Sequence, residues 1–216
     1  MSSMIGTMMG LRNSLRMESV SVHNSAPTYI KAINSVSEET AQVLMELVDE
    51  RGKRSDWSYN PTCLEYQIAN PFSKHQSPND AKVISVLPDL FGFGESCLRH
   101  INWNIKNNVC DIATGHHGFW ILRYDQGGEF EAHCDWDSGP NGIRPPIVAT
   151  AATLLNEGFR GGELVMFDSQ GNPSIIESAN TKYSTIVWDG FTQHRIAPVT
   201  EGKRYSLVIH YTGTIK

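Results

Sequence analysis

The apolar residues of the first half of the chain recur with the period of a helix. Four of them lie at helical spacing: Val43, Leu44, Leu47 and Val48. Gly52 ends this run, and Ser35 and Glu38 have the spacing of a capping box at its start. We therefore expect an amphipathic helix over about residues 36–51, with its apolar stripe packed on a sheet.

A long segment and a second helical stretch follow. Residues 52–80 are rich in proline and polar residues, which predicts a long loop with one or two edge strands. Trp57 and Tyr59 in this loop are candidate substrate contacts, although most aromatic residues in a chain of this size belong to the core. We expect the second helical stretch, over residues 80–107, to be interrupted near Pro88 and at the turn from Gly92 to Gly94.

The second half of the chain has a different pattern, with short apolar runs separated by turns. Six runs from Gly118 onward have the length of strands: GFWILRYD, EFEAHCDW, IVATAATLLN, GGELVMF, STIVWD and RYSLVIHY. Gly161 and Gly162 suit a tight turn with positive φ before ELVMF. Short strands at close spacing favour a sandwich or barrel. The predicted fold class is mainly β with flanking helices (α+β), the N-terminal helices packing on one sheet.

Composition and charge narrow the range of partners. Hydrophobic residues make up 40% and charged residues 19% of the 216 residues, as in ordinary globular proteins. The formal charge of -5, without a block of clustered Lys and Arg, gives no electrostatic reason to bind nucleic acid or an anionic membrane. Small molecules or peptides are the expected partners. We expect a flexible arm over residues 1–27 and a single domain over 28–216, with its catalytic β core at about 118–213.

Cysteine usage and hydropathy indicate the compartment. Four cysteines without CxxC spacing favour free thiols in a reducing environment: Cys63, Cys97, Cys110 and Cys134. No apolar run approaches the roughly 20 residues needed to span a bilayer, and the first segment lacks the order of regions of a signal peptide. We therefore expect a soluble cytoplasmic protein, monomeric or homodimeric.

Three residues in the β half could hold a metal ion. Side chains alternate faces along a strand, so His133 and Asp135 in EAHCDW would point to the same side. We expect His194, in GFTQHRIAP, to arrive from another strand. Two histidines and one carboxylate with open positions form the ligand set of non-haem Fe(II) oxygenases. His-x-Asp alone is a weak signal, because a hydrogen-bonded surface pair has the same spacing.

Arg204 adds a second polar feature to the same half. It opens RYSLVIHY, where Arg204, Ser206, Val208 and His210 would share one face of a strand. An arginine on the inner face of a barrel needs an anionic partner, because an unpaired buried cation is costly. A bound dicarboxylate would supply that partner through the bidentate fork between guanidinium and carboxylate.

With these residues in place, the segment from about 118 to 212 resembles the Fe(II)/2-oxoglutarate-dependent dioxygenases, specifically the prolyl 4-hydroxylase group. Three segments follow the order and spacing of that family: LRYDQGGEFEAHCDWD, TLLNEGFRGGELVMF and TIVWDGFTQHRIAPVTEGKRYSL. The resemblance implies a double-stranded β-helix, a jelly-roll or cupin-like barrel. It implies that His133, Asp135 and His194 chelate Fe(II), and that Arg204 holds the distal carboxylate of 2-oxoglutarate.

The resemblance also implies roles for two further residues and a set of co-reactants. Tyr124 falls where the family places a tyrosine lining the cosubstrate pocket, and Thr153 falls where a second polar contact to 2-oxoglutarate is often found. The implied reaction couples hydroxylation to the oxidative decarboxylation of 2-oxoglutarate to succinate and CO2, with O2 as oxidant and ascorbate as reductant.

Three hypotheses for the function follow from this resemblance. The leading one is a prolyl 4-hydroxylase acting on peptidyl proline, and the alternative is a hydroxylase of a free amino acid or another small metabolite. A non-catalytic, cupin-like metal-binding or sensing protein is the third, but such a protein does not need the inward cation of Arg204. The carboxylate of Asp135 favours hydroxylation over halogenation. His210 stands where nucleic-acid demethylases of the superfamily carry a second arginine, which argues against a nucleic-acid substrate.

Overall fold

The computed structural model of the protein describes the following segments of the chain: 17–19, 29–33, 36–54, 63–69, 80–105, 110–111, 116–136 and 147–215. Trp57 and Tyr59 lie outside these segments, so their predicted role is carried no further. Within the expected N-terminal arm, residues 17–19 form a strand. The remainder of that arm lies outside the described residues, and the predicted domain boundaries stay a prediction.

The first helix, α1 (Glu38–Arg51), confirms the apolar pattern in the first half of the chain. Its stripe packs into the main core, with Leu44, Leu47 and Val48 fully buried. The predicted cap was wrong by two residues, because Ser37 holds the N-cap position. Its Oγ accepts a 3.1 Å hydrogen bond from the backbone N–H of Thr40, which satisfies one of the free donors of the first turn.

The second helix, α2 (Ala81–Ile105), runs without the predicted interruptions. It continues through Pro88 and through both glycines. Its buried face supplies seven residues to the main core: Val83, Val86, Leu90, Phe93, Cys97, Leu98 and Ile101. Burial of this face offsets the cost of a proline and two glycines inside a helix, because tertiary packing contributes more to a helix than local propensity.

The strands are numbered in chain order. They are β1 (Met17–Ser19), β2 (Tyr29–Ile33), β3 (Lys53–Arg54), β4 (Cys63–Ala69), β5 (Cys110–Asp111), β6 (His116–Tyr124), β7 (Phe130–His133), β8 (Ile147–Leu154), β9 (Arg160–Gly161), β10 (Leu164–Phe167), β11 (Pro173–Ile175), β12 (Ser184–Asp189), β13 (His194–Ile196), β14 (Val199–Glu201), β15 (Arg204–Thr212) and β16 (Thr214–Ile215).

Two sheets organise the described residues. The major sheet has eight strands in the order β1-β2-β12-β8-β15-β6-β4-β3, and the minor sheet has four in the order β11-β10-β13-β7. Two short pairs, β14-β9 and β16-β5, complete the set. The segment predicted as a loop with edge strands thus contains β3, which lies at the edge, and β4, which lies between β3 and β6. The mainly β fold class with flanking helices is confirmed.

One face of the major sheet packs against the helices, and the other lines a cavity. On the outer face, alternate residues of β15 pack with the helices in one core, namely Tyr205, Leu207, Ile209 and Tyr211. On the inner face, the other set lines a cavity, namely Arg204, Ser206, Val208 and His210. The alternation predicted for RYSLVIHY is therefore confirmed. The minor sheet packs on the inner face through a second core that joins Leu164 and Met166 to Ile186 and Trp188.

Two further properties concern thiols and membranes. Among the described residues, Cys63, Cys97 and Cys134 are free thiols, as expected. Burial raises the pKa of Cys63 and of Cys97 to about 12, so both thiols stay protonated at neutral pH. Neither helix of the described segments has the combination of length and apolar character that a membrane crossing requires.

Candidate active site

The minor sheet brings the three predicted metal ligands together. His133 is the last residue of β7, and His194 is the first residue of β13, directly opposite it in the antiparallel register. Asp135 follows β7 by two residues. Its Oδ1 lies 3.4 Å from His133 Nε2, and its Oδ2 lies 3.7 Å from His194 Nε2. One ligand atom from each residue falls within 4.8 Å of the other two.

Backbone carbonyls orient both imidazole rings. His133 Nδ1 lies 2.7 Å from the carbonyl oxygen of Glu131, and His194 Nδ1 lies 3.0 Å from that of Thr192. A carbonyl oxygen can only accept, so each Nδ1 carries the proton and donates it. Both Nε2 atoms therefore present a lone pair to the point between the ligands, which is the arrangement found in metal-binding histidines.

Asp135 is held from the opposite sheet. It is 9% exposed, and its Oδ2 accepts hydrogen bonds from Thr150 Oγ1 at 2.6 Å and from Trp188 Nε1 at 3.0 Å. Burial by itself would raise the pKa of this carboxyl. The neighbouring imidazoles, His194 above all, and the hydrogen bond from Thr150 outweigh burial and hold the pKa of this carboxyl well below its usual range. Asp135 is therefore a carboxylate at neutral pH.

These donors fit a ferrous ion. Burial lowers the pKa of His194, which favours the neutral imidazole that binds metals. Two imidazole nitrogens and one carboxylate oxygen on one side of an ion form the facial triad of non-haem Fe(II) enzymes, which leaves positions open for other ligands. Each of the three residues also has an orienting hydrogen bond, as metal ligands in proteins usually do.

A single cavity contains the triad and Arg204. Its volume is about 820 Å³, and both sheets contribute to its walls. It is within the size range of small-molecule sites, which is roughly 300–1,000 Å³. The three ligands lie on the wall formed by the minor sheet and the residues that follow β7, and Arg204 lies on the wall formed by β15.

Arg204 is a buried cation without a carboxylate partner among the described residues. It is 3% exposed, its Nη1 donates a 3.1 Å hydrogen bond to Ser206 Oγ, and its Cζ lies 5.5 Å from the centre of the Tyr124 ring. Its Nε is buried and finds no hydrogen-bond acceptor in the described part of the chain. Such an orphaned donor is costly unless a ligand satisfies it, and a carboxylate does so with two parallel bonds. The residues therefore fit a dicarboxylate cosubstrate.

The two remaining predicted residues differ in their placement. Tyr124 pairs with Arg204 across β6 and β15, is 1% exposed and lines the cavity. Thr153 also borders the cavity, but the alternation of β8 puts its side chain on the face of Ala151 and Leu155, which pack with the helices. There it shares a 2.6 Å hydrogen bond with Thr185. Binding of 2-oxoglutarate by Thr153 stays a prediction.

Sequence reasoning missed the residues that hold Asp135. Trp188 was detectable in principle, because a tryptophan buried in a strand usually finds an acceptor for its indole N–H. Thr150 stands two residues before Ala152 in a strand rich in small residues, and nothing local marks it. Glu65 and Gln67 also line the cavity, from β4, in a segment that was expected to be mostly loop.

Comparison with known proteins agrees with this geometry. The family model described as the 2OG-Fe(II) oxygenase superfamily matches residues 119–212, the stretch that carries all three ligands and Arg204. This match shows that residues 119–212 are similar to the 2OG-Fe(II) oxygenase superfamily. The matched segment contains most of β6 and all of β7 to β15, whereas both helices and the first five strands precede it.

Curated relatives and solved structures extend the likeness. A PKHD-type hydroxylase of Idiomarina loihiensis is 34% identical over 88 residues, and one of Pseudomonas putida is 25% identical over 161 residues. These alignments cover 41% and 71% of this chain. They span 38% and 66% of the two relatives, so the chain matches about two fifths of the first and less than two thirds of the second.

Two solved structures share the fold. A Pseudomonas putida prolyl-4-hydroxylase superposes with a TM-score of 0.60 at 17% identity, covering 88% of this chain and 94% of that chain. A Trichoplax adhaerens prolyl hydroxylase, in complex with a peptide fragment of the hypoxia inducible factor oxygen degradation domain, gives a TM-score of 0.63 at 15% identity, with coverages of 86% and 83%. At this identity the likeness concerns the fold, and it confirms the double-stranded β-helix.

Proposed function

We propose that the protein is an Fe(II)- and 2-oxoglutarate-dependent hydroxylase that acts on prolyl residues of peptides or proteins. One observation carries the proposal: a single cavity contains the oriented His133, Asp135 and His194 and also the buried, carboxylate-free guanidinium of Arg204. A metal-binding protein without turnover has no use for such a cation. An oxygenase needs it to hold the second carboxylate of its cosubstrate.

Each part of the cavity has a defined task in this proposal. His133, Asp135 and His194 hold the iron, which supplies the activation of O2 when it is bound. Arg204 binds the distal carboxylate of 2-oxoglutarate and thereby fixes the direction in which the keto acid end points. The apolar wall contributed by Leu122 and Leu154 excludes water from the reacting atoms. Hydroxylation is then coupled to the conversion of 2-oxoglutarate and O2 to succinate and CO2, with ascorbate as the proposed reductant.

A partly exposed aromatic pair beside the proposed iron ligands supports a peptide substrate. The rings of Trp136 and Phe191 stack with their centroids 4.4 Å apart and their planes at 20°. Phe191 is 52% exposed, although the backbone around it is fixed by hydrogen bonds to Asp189 Oδ1. Trp136 follows Asp135 in the chain. Cys134 lines the cavity, and its Sγ donates a 3.3 Å hydrogen bond to the carbonyl oxygen of Phe191. An apolar pyrrolidine ring or its neighbours in a peptide would pack on such a surface.

The first experiment is an anaerobic titration of the Fe(II)-loaded protein with 2-oxoglutarate. Bidentate chelation by the keto acid gives a weak visible charge-transfer band, which we expect in the parent protein and not in His194→Ala. Iron-dependent succinate release, followed in the same preparation, should proceed slowly without a prime substrate. If iron binds but neither the band nor succinate appears, the proposal of a 2-oxoglutarate-dependent enzyme is wrong.

The substrate class needs a separate experiment. Proline-containing peptides, free proline and other free amino acids are compared by the stimulation of succinate release and by a mass increase of one oxygen atom. Phe191→Ala should raise KM for a reactive peptide and leave KM for 2-oxoglutarate unchanged. Ile175→Ala, which removes another exposed apolar side chain, from the edge strand β11 of the minor sheet, is the matched control. Stimulation by free amino acids alone would favour the small-molecule alternative.

A further inference from the structure

Thr150 and Trp188 reach Asp135 from the sheet that carries no metal ligand. Thr150 lies on β8 and Trp188 on β12, and the two residues are direct neighbours in the antiparallel register of the major sheet. Asp135 belongs to the segment that follows β7 of the minor sheet. Both hydrogen bonds, from Thr150 Oγ1 and Trp188 Nε1, end on the same carboxylate oxygen, Oδ2.

We propose that Thr150 and Trp188 are positioning residues that occupy Oδ2 of Asp135 and thereby reserve Oδ1 for the metal ion. The inference rests on the proposed function, because it assigns a role at the same iron site. Two donors to one oxygen fix the rotation of the carboxylate about its Cβ–Cγ bond. A carboxylate with both oxygens free can instead chelate a metal ion through both of them, which would fill a position that the cosubstrate or O2 needs.

The surroundings of Thr150 and Trp188 support this positioning role. Thr150 and Trp188 are 1% and 3% exposed, so both hydrogen bonds are formed away from bulk water, where misplaced polar groups are costly. Indole N–H donates only, so Trp188 cannot compete for the metal ion itself. The ring centroids of His194 and Trp188 lie 4.8 Å apart, so Trp188 also packs against a second predicted ligand.

Affinity for Co(II), measured by anaerobic titration of the metal-free protein, tests this inference without requiring turnover. Thr150→Val keeps the shape of the side chain and removes its donor, and Trp188→Phe removes the indole donor but leaves a smaller aromatic ring. Loss of partners that orient a metal ligand usually weakens metal affinity about 10–100-fold, and we expect that loss in each variant. Thr150→Ser keeps the hydroxyl and should bind Co(II) within about threefold of the parent, since an intact donor avoids that loss.

Thr185→Val is the matched control. Thr185 is a fully buried threonine of β12 whose hydroxyl shares a 2.6 Å hydrogen bond with that of Thr153. Its variant and Thr150→Val should lower the unfolding temperature of the metal-free protein by similar amounts, but only Thr150→Val should lose metal affinity. Equal Co(II) affinity in both variants would overturn the positioning role while the iron site stands. A parent protein that binds no Co(II) would overturn the iron site as well. If Trp188→Phe fails to fold, the comparison of the threonine variants decides alone.

Discussion

Arg204 places a positive charge where the protein alone does not neutralise it. The side chain is buried, burial lowers the pKa of its guanidinium, and its Nε has no acceptor among the described residues. A guanidinium remains protonated at neutral pH even so. Binding of an anion would recover the free energy lost by burying this group, which is the compromise between stability and function that binding sites often show.

Replacing Arg204 should consequently have opposite effects on stability and on binding. We expect Arg204→Met to raise the free energy of unfolding of the ligand-free protein by on the order of 1–3 kcal/mol, because an apolar side chain replaces an incompletely paired cation. The same variant should lose the stabilisation that 2-oxoglutarate gives to the parent. Thermal unfolding with and without 2-oxoglutarate, in metal-loaded protein, measures both effects.

Arg99→Met is the control for the general effect of removing an arginine, because Arg99 is exposed on α2 and bonds only to Ser96 among the described residues. The unfolding temperature of Arg99→Met should be close to that of the parent, and 2-oxoglutarate should stabilise this variant as it does the parent. If Arg204→Met still responds to 2-oxoglutarate as the parent does, the anion site lies elsewhere.

The turn before β10 passes close to the side chain of Arg204. Gly161 and Gly162 have φ values of 72° and 68°, which confirms the expected positive-φ turn. A Cβ on Gly162 would lie 2.8 Å from Cδ of Arg204 and 3.1 Å from Cγ2 of Val199. The absence of a side chain at this position therefore gives the arginine its room, in addition to allowing the turn.

Gly162→Ala should for that reason impair cosubstrate binding. We expect KM for 2-oxoglutarate to rise about tenfold, equivalent to a loss of about 1.4 kcal/mol, as Arg204 is displaced. Gly171→Ala provides the control, since Gly171 has a φ of 82° but open space around its Cβ position. Both variants carry the same kind of backbone strain, about 1–2 kcal/mol. An equal rise of KM in both would show that strain, and not contact with Arg204, is responsible.

The elements also show which features the sequence could predict. Alternation correctly predicted the four inward residues of β15 and the shared side of His133 and Asp135, because a strand's faces are fixed by local geometry. The continuity of α2 through Pro88 was not predictable locally, since it depends on the core that the helix covers. The hydrogen bonds that Thr150 and Trp188 donate to Asp135 depend on how two sheets face each other, and no pattern within either strand contains that information.

At the scale of the whole molecule, the proposed metal site lies where the two sheets meet. His133 and His194 belong to the minor sheet, and Asp135 is hydrogen-bonded to β8 and β12 of the major sheet. A second set of contacts lies on the outer face, where Asp49 of α1 accepts hydrogen bonds from Arg123 and Tyr205. The outer contacts do not involve the metal ligands, so binding of a metal ion should stabilise the inner junction in particular.

Removal of the metal ion should therefore lower the local stability of the minor sheet more than that of the major sheet. A metal ion present at 100 times its Kd stabilises the folded state by about 2.7 kcal/mol, which in a chain of this size corresponds to about 5–10 °C in Tm. We expect a chelator to lower Tm by that amount and to accelerate amide hydrogen exchange in β7 and β13. Exchange in the centres of β6 and β15 should change little, because those strands are held by the major sheet and the helix-side core. In His194→Ala the chelator should have no effect. If the chelator accelerates amide exchange uniformly across both sheets of the parent, the ion stabilises the fold as a whole and does not join the sheets at this point.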